Sequence, residues 1–235
     1  MSAATPYSPS GQTRDLIESA GIRCTVTRYR KGEALFFQGD PCDTVLHIES
    51  GLVGLEVVTA GGKQAIVGIL GPGAFLGEEV LSESADVARR QTAIALTATE
   101  VLVVPRRQML RLVRTQPTVL ARFVAHILER HARLQEDLTN QILHTGERRL
   151  AHALLSLARH GRGSSPGELP DVSQEFIAEM VGTTRPRVNA LIGKFKRQGF
   201  LTSGRGVLQI RPTLLQLAAD LYKRGADESS DRSVA

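Results

Sequence analysis

Apolar residues between Ser173 and Phe195 recur at helical spacing in two short blocks. The first block consists of Ile177, Met180 and Val181. The second block follows i, i+3, i+4 and i+7, the spacing of a stripe that faces a core, and consists of Val188, Leu191, Ile192 and Phe195. Gly182 lies between the blocks and supplies the permissive backbone that a tight turn needs. The pattern therefore predicts two short helices joined by a turn, which is the plan of a helix-turn-helix.

The polar residues around these blocks predict where each helix begins. Ser173 is a good N-cap for the first helix, and Glu175 falls in the first turn, where the helix dipole favours an acid. Thr183 or Thr184 caps the second helix. Pro186 then falls in its first turn, a position that tolerates proline.

The outward face of the second helix points to nucleic acid. Arg185 lies at the N-terminal end, where a recognition helix meets base edges. The face centres on Pro186, Ala190, Gly193 and Arg197. Between Met180 and Ala219 there are seven basic residues and no acidic one, and attraction to phosphate grows with such charges. The alternative is a solvated pair of basic helices in another fold.

A β-hairpin is predicted directly after this helix, from Gly199 to Ile210, with its turn at Gly204-Arg205-Gly206. A hairpin in this place is a wing, and Arg205 at its tip is a candidate phosphate contact. The complete set of candidate DNA-binding residues is Ser173, Gln174, Thr184, Arg185, Pro186, Arg187, Asn189, Ala190, Lys194 and Arg205.

The first half of the chain has a different pattern, short apolar runs separated by glycine turns. Ten of the 22 glycines lie between Gly32 and Gly77. The strand-like runs are 44–48, 54–58, 64–70 and 100–104. This pattern predicts an all-β barrel or roll. Within it, a glycine-rich turn at 71–78 and the pair Arg89-Arg90 could bind a small ligand through backbone amides, an acid and a guanidinium, although a structural turn and a salt bridge explain the same residues.

A long helix is predicted from Thr118 to Leu143, after Pro117. Its apolar positions fit an a/d heptad, with an ambiguity of one residue between Phe123 and Val124. Glu147 to Arg159 then predicts a further amphipathic helix.

Composition narrows the class of protein. The chain has 235 residues, a net charge of +5 and no long apolar run, so we expect two domains and no membrane span. Cys24 and Cys42 are too few for a disulfide framework or a four-thiolate site. No nucleophile–base pair, metal cluster or nucleotide-hydrolysing loop is visible, so we do not expect an enzyme. The start lacks the apolar core of a signal peptide, and we expect a cytoplasmic location.

The order of these parts resembles a known family. Gly32 to Asp40, Gly71-Pro-Gly73, Phe75 to Glu78 and Arg89-x-x-Thr-Ala93 resemble the cyclic-nucleotide-binding β-roll. With a helix-turn-helix behind them, residues 15 to 222 resemble the cyclic-AMP receptor protein/fumarate-nitrate regulator (CRP/FNR) family of bacterial transcription factors.

The resemblance implies an α+β fold in three parts. These are an N-terminal cyclic-nucleotide-binding-type β-roll (15–116), a dimerisation helix with a hinge (117–145) and a C-terminal winged helix-turn-helix domain (146–222), and they lie between ends (1–14 and 223–235) that we expect from their composition to be disordered. It also implies a homodimer that reads a pseudo-palindromic site on double-stranded DNA, with RNA polymerase as a further partner. The expected dimer seam consists of Leu120, Phe123, Ile127, His131, Leu134 and Leu138. His131 is either a pH- or ligand-sensitive point or a polar residue that fixes the register.

By the same resemblance, Gly77 and Glu78 lie where the family contacts ribose and phosphate, and Arg89 falls at its phosphate-binding arginine. The implied ligand is a cyclic nucleotide, cyclic AMP or cyclic GMP. The complete set of candidate ligand residues is Gly77, Glu78, Arg89, Arg90, Thr92, Leu134 and Gln135. Three features differ from the receptor: Arg90 replaces a serine, the 78–89 loop is one residue longer, and Leu134 and Gln135 replace the threonine and serine that meet adenine.

Three functions remain open on the sequence. The first is a dimeric regulator under allosteric control by a ligand. The second is a regulator that binds DNA without a ligand, its roll serving only structure and dimerisation. The third is a cyclic-nucleotide-type module that controls a partner protein, which the basic 180–219 stretch disfavours.

Overall fold

A computed structural model describes residues 9–22, 24–82, 87–160, 167–204 and 207–214. The chain divides into two compact units, Met1–Leu134 and Gln135–Ala235. Each unit is described by itself. No helix among the described residues is both long and apolar enough to span a membrane.

The first unit contains two four-stranded antiparallel sheets, with strand orders β1-β8-β3-β6 and β2-β7-β4-β5. The strands are β1 (Thr25–Tyr29), β2 (Ala34–Phe36), β3 (Thr44–Ser50), β4 (Val53–Val58), β5 (Gln64–Leu70), β6 (Phe75–Leu76), β7 (Thr92–Ala95) and β8 (Thr99–Pro105). The four runs that the sequence predicts as strands are β3, β4, β5 and β8, so those predictions are confirmed.

Among the described residues, three α-helices and a short 3-10 helix complete this unit or extend from it. They are α1 (Pro9–Ser19), the 3-10 helix (Glu78–Leu81), α2 (Arg106–Thr115) and α3 (Pro117–Leu143). The 3-10 helix follows β6 directly, so the predicted ligand turn joins an edge strand to a helical turn.

Alternation along the strands produces two apolar cores. Leu46 and Ile48 of β3 pack with Leu55 and Val101 in a core that draws on both sheets. Val45, on the opposite face of β3, belongs to a second core that takes residues from α1, α2 and the start of α3. The two faces of one sheet therefore hold the roll together and attach the helices to it.

Phe123 belongs to this second core, which corrects the predicted dimer seam. Its side chain is 2% exposed, whereas that of Val124 is 43% exposed. Phe123 packs edge-on against Phe75, with 5.1 Å between the ring centroids. Phe123 is thus buried within its own chain, and of the two residues that the heptad allows at this step only Val124 is exposed.

The second unit contains α4 (Gly146–His160), α5 (Gln174–Val181), α6 (Arg185–Arg197) and a hairpin of β9 (Leu201–Gly204) and β10 (Val207–Ile210). Its buried apolar residues come from one face of each helix and from the hairpin, and they include Leu150, Leu154, Leu157, Ile177, Ala178, Val181, Val188, Ile192, Phe195 and Leu201. Leu191, predicted to face the core, is only half-buried. The predicted α+β fold, with a β-roll and a winged helix-turn-helix, is confirmed.

Local chemistry fixes the ends of α5. The backbone N–H of Phe176 donates to Oγ of Ser173 at 3.0 Å, so Ser173 caps the helix as predicted. Gly182 ends it in the left-handed region, at φ 68° and ψ 46°. The N–H of Thr183 then donates to the carbonyl of Ala178 at 2.9 Å, the closure of a Schellman-type C-cap.

Candidate nucleic-acid interface and ligand site

Helix α6 separates its residues sharply between core and solvent. Val188, Ile192 and Phe195 are buried. The exposed residues lie mostly toward the N-terminal end of the helix and are Arg185, Pro186, Arg187, Asn189 and Ala190, with Lys196 and Arg197 at the other end. The candidate DNA-reading residues of this helix are therefore accessible, while the apolar stripe fixes its rotation.

Thr184 and Lys194 differ from the simplest expectation for their roles. Thr184 has the extended backbone of an N-cap, but its side chain forms no capping hydrogen bond. Lys194 Nζ lies 2.6 Å from Oε1 of Glu147 at the start of α4, and both side chains are about half-exposed. Exposed ion pairs contribute little stability, so Lys194 can exchange this carboxylate for a phosphate at a small energetic cost.

The remaining candidate DNA residues lie at the start of α5 and in the predicted turn of the hairpin. Ser173 is exposed, Gln174 is half-buried, and the Ser173 hydroxyl accepts the capping hydrogen bond described above. Strands β9 and β10 pair in antiparallel register from Leu201–Ile210 to Gly204–Val207. The predicted hairpin is therefore present, but Arg205, the residue predicted for its turn, lies outside the described residues.

The candidate ligand site is organised around Gly77, which has φ 80° and ψ 30°. A Cβ at this position would lie 2.6 Å from the carbonyl oxygen of Thr44 and would overlap the guanidinium of Arg89. Only glycine fits such a position, because the backbone is left-handed and the space is already filled. Glycine thus lets the β6 turn approach β3 and the Arg89 side chain closely.

Arg89 is the buried charge of this site, with 4% of its surface exposed. Its Nη2 donates to the carbonyl oxygen of Thr44 at 2.9 Å and to the Thr44 hydroxyl at 2.8 Å. The guanidinium carbon lies 4.2 Å from the ring centroid of Phe36, a cation–π contact. Nε and Nη1 are buried without a hydrogen-bond partner among the described residues. A buried cation with unused donors is the arrangement that favours an anion.

Glu78 pairs with Arg130 of helix α3, and Nη2 of Arg130 donates to Oε1 of Gln91 at 3.0 Å. The second carboxylate oxygen of Glu78, Oε2, is buried without a partner among the described residues, and it could accept a hydrogen bond from a hydroxyl group. Sequence reasoning missed Arg130 and Gln91. Arg130 is 52 residues from Glu78, and nothing in a helical pattern marks one arginine among several on α3.

The other candidate ligand residues are less closely associated with this site. Thr92 is buried, and its hydroxyl accepts from the N–H of Gln38 at 3.0 Å, a hydrogen bond within the roll itself. Arg90, Leu134 and Gln135 are exposed. The structure thus brings Gly77, Glu78 and Arg89 together and gives Thr92 a structural partner.

Helix α3 carries a stripe of exposed apolar side chains. Replacing Phe123 by Val124 gives an even alternation of four- and three-residue steps along Leu120, Val124, Ile127, His131, Leu134 and Leu138. These six residues are called the α3 seam below. All are exposed, and the steps are those of the a/d positions of a coiled coil.

Comparisons with known proteins agree with both halves of this description. Residues 26–116 match the model of the cyclic nucleotide-binding domain, and residues 148–218 match that of the Crp-like helix-turn-helix domain. The chain is 32% identical over 189 residues to the cyclic AMP receptor protein of Thermus thermophilus, covering 80% of this chain and 84% of that protein.

Two further relatives extend the likeness. The cAMP-activated global transcriptional regulator CRP of Escherichia coli O6:H1 is 25% identical over 194 residues, covering 82% of this chain and 92% of the relative. The crystal structure of a transcriptional regulator of the CRP/FNR family, also from Thermus thermophilus, has a similar fold, with a TM-score of 0.69 at 24% identity, covering 83% of this chain and 98% of that one. With a cyclic nucleotide-binding domain ahead of a Crp-like helix-turn-helix, this chain belongs to the CRP/FNR family of DNA-binding transcription regulators.

Proposed function

We propose that this regulator acts as a homodimer on a pseudo-palindromic DNA site and that a small anionic ligand in the roll, a cyclic nucleotide, controls its affinity for DNA. The proposal includes RNA polymerase as a further partner and a cytoplasmic location. Its relatives include a protein named as a cyclic AMP receptor and one named as cAMP-activated, which makes cyclic AMP the first ligand to test.

The observation that carries the ligand proposal is the buried guanidinium of Arg89. Burial of a cation is unfavourable unless its donors are satisfied, and Thr44 accepts from only one of its nitrogens. A phosphate oxygen could accept a charge-assisted hydrogen bond from Nε or from Nη1, which lie on different edges of the guanidinium. Glu78 Oε2, one residue from Gly77, supplies an acceptor for a sugar hydroxyl.

The α3 seam supports the dimer. Its six side chains are exposed and all but His131 are apolar, at the a/d spacing of helices that pair along a parallel coiled coil. Pairing two copies would place two α6 helices on one duplex, so the DNA site would have two related halves. His131 lies in this seam and is exposed, and we propose that it fixes the register of the pair.

The test is in-vitro selection of bound duplexes with full-length protein, with and without cyclic AMP and cyclic GMP, followed by anisotropy titrations on the selected site. We expect a symmetric site, an affinity that falls steeply with salt because lysine and arginine release counterions from phosphate, and tighter binding when the ligand is present. A selected site without symmetry would refute the dimer. DNA binding that neither nucleotide changes would favour the regulator that needs no ligand.

A matched pair of variants tests the ligand site itself. Arg89→Gln removes the buried cation, and we expect ligand affinity to fall roughly 10- to 150-fold, the equivalent of a lost charged hydrogen bond. Arg30→Gln removes an exposed arginine of the same unit and should leave ligand affinity unchanged. Equal affinities of the two variants in calorimetric titration would rule out Arg89 as the anion-binding residue. If neither cyclic AMP nor cyclic GMP binds wild-type protein, the cyclic nucleotide is refuted as the ligand.

A further inference from the structure

His126 of helix α3 contacts the strand that leads into the candidate ligand turn. Strand β6 lies at the edge of its sheet and has β3 as its neighbour. Phe75 of β6 is paired with His47 of β3. Nε2 of His126 lies 3.3 Å from the backbone nitrogen of Phe75 and 3.1 Å from its carbonyl oxygen. A neutral imidazole nitrogen either accepts from the N–H or donates to the C=O, so one side chain can pair with either backbone group of Phe75 in turn.

The surroundings keep the His126 ring in place and neutral. Its centroid lies 5.7 Å from that of Phe75, and Phe75 in turn contacts His47 at 4.8 Å. Burial, reinforced by the nearby charge of Arg130, lowers the pKa of His126 to about 4. The ring is therefore uncharged near neutral pH, which keeps both hydrogen-bonding roles available.

A second contact lies one helical turn further along α3. Arg130 follows His126 by four residues, so the two side chains share a face of the helix. His126 contacts Phe75 and Arg130 pairs with Glu78, on either side of Gly77. The segment from Phe75 to Glu78 therefore contacts α3 both before and after Gly77, the glycine against which the Arg89 guanidinium packs.

We propose that His126 is a positioning residue that ties strand β6 to helix α3, so that a change at the ligand turn is passed to the helix that carries the α3 seam. The passage of a ligand signal rests on the function proposed above, whereas the tie itself can be measured without ligand or DNA. Arg130 alone would leave the side chain of Glu78 free to turn about its own bonds, but a contact with the Phe75 backbone constrains the strand.

The experiment compares three variants of the full-length protein. His126→Leu removes both ring nitrogens, and His126→Gln keeps an amide that can donate and accept. Glu129→Gln is the control on the same helix, because Glu129 is 67% exposed and its ion pair is with Arg133 at 3.5 Å. If the Leu variant does not fold, His126→Asn repeats the test with an amide too short to reach Phe75.

Amide hydrogen exchange without ligand measures whether His126 holds strand β6 against helix α3. In His126→Leu we expect exchange to rise about tenfold in residues 71–81 and in residues 117–134, the equivalent of losing one net hydrogen bond. His126→Gln and Glu129→Gln should exchange as wild type does. Unchanged exchange in 71–81, a rise in only one of the two segments, or failure of glutamine to restore protection would overturn the proposal.

The transmission is read from the ratio of DNA dissociation constants without and with cyclic AMP. We expect this ratio to fall at least about fivefold in His126→Leu, within the range of ordinary allosteric coupling, and to survive in the other two variants. A full ratio in His126→Leu would show that the signal reaches α3 by another route. Wild-type protein that binds DNA but ignores cyclic AMP would refute the ligand control, while the exchange result would still decide the tie.

Discussion

Replacing Gly77 by alanine should disrupt both the fold of the roll and the candidate ligand site. The backbone at φ 80° disfavours any residue with a Cβ, at about 1–2 kcal/mol. The new methyl would also lie 2.6 Å from the carbonyl oxygen of Thr44, where it cannot stay. That oxygen belongs to β3, which is paired with β8 along its length, so it has little freedom to move.

Relief of this overlap must come from the backbone or from Arg89, whose guanidinium occupies the same space. Overpacking of this kind costs about 1–3 kcal/mol, so we expect Gly77→Ala to lower the free energy of unfolding by roughly 2–5 kcal/mol in total. The matched control is Gly62→Ala. Gly62 also has a positive φ, 76°, but its Cβ would meet no heavy atom within 4 Å. It should lose only the backbone contribution, about 1–2 kcal/mol.

Urea denaturation followed by circular dichroism measures both variants, and their difference isolates the overlap from the backbone strain. Calorimetric titration with cyclic AMP then tests the site, since a displaced Arg89 should bind the nucleotide more weakly, whereas Gly62→Ala should bind as wild type does. If Gly77→Ala is no less stable than Gly62→Ala, the close packing of Gly77, Thr44 and Arg89 is not what requires a glycine here.

Single positions support three further predictions. Arg185→Ala should reduce discrimination at one base pair of the DNA site by roughly 1–3 kcal/mol, and equal weakening on all sequences in competition titrations would make Arg185 a phosphate contact instead. Phe123→Ala should lower the free energy of unfolding by about 3–5 kcal/mol, whereas Val124→Glu should dissociate the dimer in sedimentation experiments and leave the fold intact; the reverse pattern would contradict the assignment of the α3 seam. Because the pKa of His126 is lowered from 6.5 to about 4, the stability that its neutral form provides is fully present above pH 6.5. It is lost as the pH falls from 6.5 through 4, by up to about 3 kcal/mol. A His126→Gln variant that loses as much stability as wild type between pH 6.5 and 4 would contradict this cause.

The sequence predicted those elements whose pattern is local. Strands between glycine turns, the cap at Ser173 and the glycine turn of the helix-turn-helix depend on residues within a few positions of one another. The heptad of α3 was ambiguous for a physical reason. Phe123 and Val124 are both apolar, and only tertiary packing shows that Phe123 fills the core beneath Phe75 while Val124 faces solvent.

The candidate ligand site was predictable only in part, because its members are far apart in the chain. Gly77, Glu78 and Arg89 were found as part of a glycine-rich turn and a nearby arginine pair, and the resemblance to the family pattern supplied their roles. Arg130 and His126 were not, since they lie 52 and 51 residues from their partners. A helical pattern reports which face of α3 is apolar, but it contains no information about which polar side chain meets the edge of a sheet.

The composition of α6 limits how this regulator can read DNA. Pro186 and Ala190 are exposed where a recognition helix faces bases, and their side chains can neither donate nor accept a hydrogen bond. Near the N-terminal end of this face, Arg185 and Asn189 are exposed and can pair with guanine or adenine edges. Small side chains let the helix approach the groove closely and leave thymine methyl contacts and the deformability of the duplex to supply the remaining specificity. We therefore expect a site in which few positions are read directly, so that its sequence cannot be transferred from relatives with polar residues at these two positions.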